Sequence, residues 1–398
     1  MMTTPPVPNA SISIHGATSA AVPGPAPVVF ALIACDGGWA EQKAKQLFIG
    51  HARLNRPKAL NALNLEMFEL MLKQFRAWAS DESVVAILLD GEGPKGFCAG
   101  GDVASVIRAV RAGGPQRFDY GDQFFAVEYE LDYLIHHFPK PIISYTHGVC
   151  MGGGVGLTVG CSHRVLSESS KIAMPEIHIG LFPDVGGGFF LNRVPGGAGR
   201  VMALTGLMIN EADAIFAGLS DFFVPLEAKE LMLAKLKAIA WVAHCKTAEN
   251  HALVTNTLQG MHRKYKLGLP TANLMQYFDA IRFIAQQPTV TEVRDALQVA
   301  AQEDPYFSGP AESLTNGSPT AAYVSDEYMR RSKKLSIREV LDLDLVLAKA
   351  FQRGLDFNEG VRALLIDKDR QAKWSPARFE DVSPELIESH FAIRHFGA

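Results

Sequence analysis

The stretch SVVAILLDG, Ser83 to Gly91, limits the choice of fold more than any other part of the chain. From Val84 to Leu89 every residue is apolar and several are β-branched, so a strand made from it has no face to offer water and is buried. Its neighbours fit around it. Leu47 to Leu54 reads as a strand. In NLEMFELMLKQFRAWAS, Phe68, Met71, Leu72, Phe75 and Trp78 recur at helical spacing with charges between them. PIISYTHGVCMGGGVGLTVGC repeats the arrangement as strand, Gly-rich turn and small-residue helix, and RVLSESSKIAMPE adds two more short strands. Strand, turn and helix following one another in series predict an α/β fold with helices against a sheet. After about Pro225 the strand pattern stops. Residues 226–350 read as helices with breaks near Pro270, Pro288, Pro305 and Pro319.

Composition supports a sizeable core around such strands: 398 residues, 48% hydrophobic and 20% charged, suit one large domain with additions or two domains. A formal charge of −4 gives no sign of a nucleic-acid or membrane-surface binder. No apolar run approaches the roughly 20 residues that cross a bilayer. Cys35, Cys98, Cys150, Cys161 and Cys245 stand at unrelated spacings, which speaks against a disulfide framework and fits a reducing compartment. MMTTPPVPNASISIHGATSAAVPGPAP is of another kind, rich in Pro, Ala, Ser and Thr, with no lysine or arginine before Lys43. It reads as a disordered extension over residues 1–25, while VVFALIAC, Val28 to Cys35, is able to pack as a strand. Without the basic residues of a secretory signal or a transit peptide, it favours the cytoplasm over the mitochondrial matrix.

The glycine clusters invite a nucleotide reading that fails. Gly152, Gly154 and Leu157 break G-x-G-x-x-G at its last position, and the cluster at Gly186 breaks it at Leu191. Neither a P-loop nor a G-x-S-x-G elbow occurs. Cys161 and His163 lack a second pair at zinc spacing, so no metal site is expected. FCAGGDV and HGVCMGGGVG instead put glycines just after an apolar strand, at the start of a helix, where free backbone N–H groups can receive a negative oxygen. Two such turns on neighbouring strands would supply one donor each, an oxyanion hole for a carbonyl that gains charge in reaction. Taken singly, each cluster is explained as well by a tight turn or close packing. In AMPEIHIGLFPDVGGG, Ala173 to Gly188, Glu176 and Asp184 each follow a proline and stand among apolar residues. A carboxylate in that company is costly to desolvate unless something pairs with it or uses it.

FCAGGD, HGVCMGGGVGL and AMPEIHIGLFPDVGGG, in that order and at these separations, resemble the enoyl-CoA hydratase/isomerase (crotonase) superfamily over roughly residues 45–240. RPKALNAL looks like that family's N-terminal signature. The resemblance implies a crotonase-like spiral of ββα units with a helical C-terminal region. It implies an acyl-CoA substrate whose thioester oxygen meets the backbone N–H groups of Gly101 and Gly153, with CoA passing near Lys58 and the Ala99–Gly101 loop. It implies no cofactor, CoA being part of the substrate, no metal, no nucleic-acid or membrane partner, and a homo-oligomer, trimer or hexamer. The chain then divides into an N-terminal extension (1–42), a catalytic core (43–240), a helical insertion or cover (241–335) and a C-terminal helical region (336–398).

The family's hydratases carry one glutamate at the place of Glu176 and a second three residues after the middle glycine of the triplet, where this chain has Gly156. Asp184, Glu128 in FFAVEYELD, and RGLDFNEGVRALLIDKDRQAKW (Arg353 to Trp374) are instead similar to the branch that hydrolyses 3-hydroxyisobutyryl-CoA in valine breakdown. By that resemblance Glu176 attacks the thioester to give a mixed anhydride, or activates a water. Asp184 orients Glu176, the water or the substrate hydroxyl, and Glu128 hydrogen-bonds the 3-hydroxyl of the acyl group. Met174, Ile179, Leu181 and Phe182 are expected to raise a carboxylate's pKa. The plainer readings are an N-cap or salt-bridge partner for Glu176, an N-cap for Asp184, a solvated helix face for Glu128, and structural roles for His147 and His178. Two rival functions stand beside the hydrolase: an enoyl-CoA hydratase or isomerase, and a non-catalytic or RNA-binding protein. The second rests on the basic run MRRSKKLSIR (Met329 to Arg338), whose ordinary reading is a solvated helix face or loop.

Overall fold

The computed structural model describes residues 26–36, 46–242 and 247–392. Its strands are β1 (Val28–Ala34), β2 (Phe48–Leu54), β3 (Val84–Gly91), β4 (Gly96–Cys98), β5 (Ile142–Thr146), β6 (Val149–Met151), β7 (His163–Leu166), β8 (Lys171–Ala173) and β9 (Phe222–Phe223). Six of them form a sheet in the order β1-β2-β3-β5-β7-β9, and three form a smaller one, β4-β6-β8. β1 pairs antiparallel with β2, and the other pairings are parallel. The chain alternates between the sheets: β3 then β4, β5 then β6, β7 then β8. Helices α2 (Val103–Ala112) and α3 (Asp119–His136) follow the first pair, and α4 (Gly153–Val159) follows the second.

The apolar run from Val84 to Leu89 accounts for this layering. β3 is buried along its whole length. Val84, Ile87 and Leu89 join one core with Met67, Phe68, Met71 and Phe75 of helix α1 (Leu65–Ser80), with Leu72 partly covered at its edge. Val85, Ala86 and Leu88 join a second core with Met232, Leu236, Trp241 and Leu258. At roughly 1.5–3 kcal/mol for each large side chain fully buried, covering both faces is what holds so apolar a strand in place. Asn64 caps α1 by accepting from the amide of Met67, and Asp81 ends it with an extended backbone.

The smaller sheet positions the site. Cys98 pairs with Cys150, and Cys150 with Ile172, so β4, β6 and β8 end side by side. Gly101, Gly153 and Glu176 each follow one of those ends by two or three residues. Loops at the carboxyl ends of parallel strands are where such sheets gather chemistry. Every described element after β9 is helical. One of these, the helix Leu355–Val361, packs backbone to backbone on the turn that carries Glu176: a Cβ on Gly360 would lie 2.4 Å from the Ile179 carbonyl carbon. The cysteines at 35, 98, 150 and 161 are free and buried. No helix among the described residues is long and apolar enough to cross a membrane. VVFALIAC forms strand β1 over Val28–Ala34, and the extension expected over residues 1–25 lies outside the described residues.

Candidate active site

A cavity of about 660 Å³ opens where β4, β6 and β8 end, lined by Ala99, Gly101, Gly153, Glu128, Glu176 and Asp184 among others. Gly153 is the first residue of α4, and Gly101 lies in the turn after β4, bridged to Leu63. The two amides donate to no acceptor among the described residues. They lie close together, since an ideal Cβ on Gly153 would sit 3.4 Å from the Gly101 nitrogen. That same Cβ would lie 2.5 Å from Glu128 Oε1, and one on Gly152 (φ +49°) would lie 2.8 Å from Glu176 Oε1. Two carboxyl groups therefore press on the amide-bearing turn, and a side chain at either glycine would displace one of them.

All three acids are buried. Glu176 begins a 3₁₀ turn (Glu176–Ile179) and is 5% exposed, and its Oε2 has no hydrogen-bond partner among the described residues. Burial, then the charge of Asp184, pushes its carboxyl well above the usual range. Glu128 faces inward from α3 at 3% exposure, so the solvated-face reading is excluded. Burial raises its pKa strongly, with Asp184, Asp132 and Glu176 adding to the effect. Asp184 accepts from the Tyr129 hydroxyl at 2.7 Å and caps no helix. Burial lifts it to about 6 against the hydrogen bond from Tyr129. Acids packed together without a cation nearby raise one another's pKa, which favours a proton shared among them.

Not every expected residue arrives here. Lys58 sits exposed in the turn Pro57–Ala59 and is not among the residues lining the cavity. His147 donates to the Gly93 carbonyl at 2.7 Å, while His178, on the cavity wall, meets Ser313 Oγ at 3.0 Å. Burial lowers the pKa of both. Cys161 donates to the Leu157 carbonyl, and His163 meets Thr255 Oγ1 at 3.0 Å. In the basic run, Arg330, Arg331 and Arg338 are in ion pairs with Glu327, Glu388, Asp342 and Glu130. Sequence reasoning missed four contributors. Tyr129 holds Asp184. Asp132 lies four residues after Glu128 and is buried on the same face of α3, a spacing that could have flagged it. Asp344, on the helix Ile337–Arg353, accepts from the Gly186 amide at 2.8 Å and so pins the turn after Asp184. Val185, in that turn at φ +49°, fills the space beside Gly156: a Cβ there would lie 2.6 Å from Val185 Cβ.

A family model described as enoyl-CoA hydratase/isomerase matches residues 49–391. The chain belongs to the enoyl-CoA hydratase/isomerase family. It is 38% identical to the "3-hydroxyisobutyryl-CoA hydrolase, mitochondrial" of Xenopus tropicalis over 86% of this chain and 86% of that protein. It is 36% identical to the Homo sapiens protein of the same name, again over 86% of each. Among solved structures it resembles an enoyl-CoA hydratase from Rhodobacter sphaeroides, with a TM-score of 0.77 and 34% identity over 92% of this chain and 97% of that one. The family's α/β spiral of ββα units with a helical C-terminal region, expected from the sequence, is the fold. The cytoplasmic expectation is overturned, because both hydrolase relatives are named as mitochondrial. It had rested on the lack of basic residues in one short stretch, a compositional signal with no tie to the fold or to the site.

Proposed function

We propose that the chain hydrolyses an acyl-CoA thioester, with 3-hydroxyisobutyryl-CoA, an intermediate of valine degradation, as its substrate. One observation carries the reading: two unused amides, at Gly101 and Gly153, and the buried Glu176 carboxyl converge on one cavity. The thioester oxygen accepts from both amides, which stabilise it as it gains charge, and losing one such donor typically costs 10²–10³ in rate. Glu176 works on the adjoining carbon, either attacking it directly, which breaks the C–S bond and leaves a mixed anhydride that a water then hydrolyses, or activating a water for that attack. Asp184, held by Tyr129, sets its orientation and its charge, and Glu128 receives the 3-hydroxyl. The leaving CoA thiolate takes a proton from the acid cluster.

The Rhodobacter structure is titled a hydratase, so water addition is the reading to weigh against this one. Such chemistry uses a second glutamate at the place of Gly156. Here a side chain at 156 would run into Val185 2.6 Å away, and the acid has no room. The RNA-binding reading is weakened, because Arg330, Arg331 and Arg338 of the basic run are in ion pairs with neighbouring carboxylates, which leaves Lys333 and Lys334 as its exposed charges. The deciding assay offers the purified protein crotonyl-CoA and 3-hydroxyisobutyryl-CoA and follows free thiol alongside loss of the enoyl double bond. Thiol release from the hydroxylated ester is expected, with the enoyl ester left intact; rapid hydration of crotonyl-CoA without thiol release would overturn the reading.

A further inference from the structure

The residues above serve the acyl end of the substrate, and Lys58, expected to serve the CoA end, does not line the cavity. A different cation does. Arg370 is the one lysine or arginine among the described residues lining the cavity, where it joins Leu364 and Leu365 from the same C-terminal segment. It makes no ion pair or hydrogen bond through its side chain with another described residue. Its neighbour Arg362 is fully engaged, binding Glu359 Oε2 at 2.9 Å, Asp367 at 2.8 Å and Asp369 at 2.6 Å.

That engagement fixes the segment. Arg362–Ile366 form a π-type turn, a feature that often marks functional sites. The amides of Asp367 and Arg370 donate back to the carbonyls of Arg362 and Ala363 at 2.8 and 3.0 Å. Lys368 and Arg370 are held at φ +60° and +58°, a conformation that side-chain-bearing residues keep only where the surroundings impose it. The fold thus presents an unpaired, exposed guanidinium at a cavity whose other titratable groups are three carboxyls and His178. CoA is a polyanion, and a guanidinium matches phosphate with two parallel donors.

We propose that Arg370 binds a phosphate of the CoA moiety while Leu364 and Leu365 lie against its pantetheine arm. The inference rests on the proposed function only in taking a CoA ester as the ligand. The test compares wild type, Arg370→Gln and Arg370→Lys on 3-hydroxyisobutyryl-CoA and on the matching pantetheine thioester, which carries no phosphate. Arg370→Gln is expected to raise KM for the CoA ester about tenfold with kcat within twofold, to leave the pantetheine ester within twofold, and to be largely rescued by Arg370→Lys. Equal losses on both esters, or no change on the CoA ester, would overturn it. Calorimetric binding of free CoA separates this inference from the hydrolase reading. Affinity that falls with Arg370→Gln in a protein that hydrolyses nothing would sink the hydrolase and leave the CoA contact standing; hydrolysis with unchanged CoA affinity would do the reverse.

Discussion

Asp90, near the end of β3, and Glu176, after β8, are both carboxylates removed from water, and the protein treats them in opposite ways. Asp90 is fully buried and accepts from His51 at 2.8 Å, Arg53 at 3.0 Å and Lys229 at 2.8 Å. Burial alone would push its carboxyl up, but the hydrogen bonds from His51 and Arg53 and the charge of Lys229 hold it well below the usual range. Among the described residues Glu176 has no cation beside it, one oxygen without a partner, and two other acids for company. A compensated acid ties elements together. An uncompensated one holds unfavourable energy that chemistry can use, and its setting moves its pKa toward working pH.

Amide substitutions at the two positions are the sharpest way to break this contrast. Glu176→Gln is expected to lower kcat by about 10³-fold while leaving stability unchanged or slightly higher, because it removes a buried acid with one unpartnered oxygen and no counter-charge among the described residues. Asp90→Asn is expected to lose about 2–3 kcal/mol in urea unfolding at pH 7 and to keep kcat, because it strips three donors of their charged acceptor. Activity surviving in the first variant, or equal stability losses in both, would remove the distinction.

The pH dependences run in opposite senses too. Asp90, depressed, contributes stability that is present above its unfolded pKa and lost as pH falls through the folded value. Asp184, raised to about 6 from 3.8, contributes stability that is complete below 3.8 and lost as pH rises through about 6. Replacing it should therefore shift the balance: Asp184→Asn gains on wild type in unfolding free energy between about pH 4 and 7. Burial is the larger cause of Glu176's raised pKa and the Asp184 charge the second, so the acid limb of kcat/KM in Asp184→Asn should move to lower pH. A limb that stays in place would mean that the two acids do not communicate. The smallest effect is expected from Glu128→Gln, a loss on the order of fivefold in preference for 3-hydroxylated over plain acyl-CoA, read from kcat/KM on the pair. Equal losses on both esters would deny Glu128 its contact with the hydroxyl.

Much of the architecture could be read in advance, because strand and helix periodicity are local properties. The buried run of β3, the helix face of α1, the end of strand pattern near Pro225 and the two glycine turns each occupy a few adjacent residues. Glu176, Asp184 and Glu128 were legible as well, through apolar neighbours and family motifs. Nothing in SVVAILLDG distinguishes Asp90 as a compensated acid, since its partner Lys229 lies 139 positions away. The same holds for Asp344, which reaches Gly186 across 158 positions.

The amino-acid order by itself thus determined the elements and which side chains were candidates for chemistry, because hydrogen bonding along the backbone and apolar periodicity act over a few residues. Only the tertiary structure decided which acids would find a counter-charge, that Val185 would occupy the space beside Gly156, and that Arg370 rather than Lys58 would stand at the cavity. Charge compensation and steric exclusion act through space, between groups whose separation along the chain says nothing about their distance.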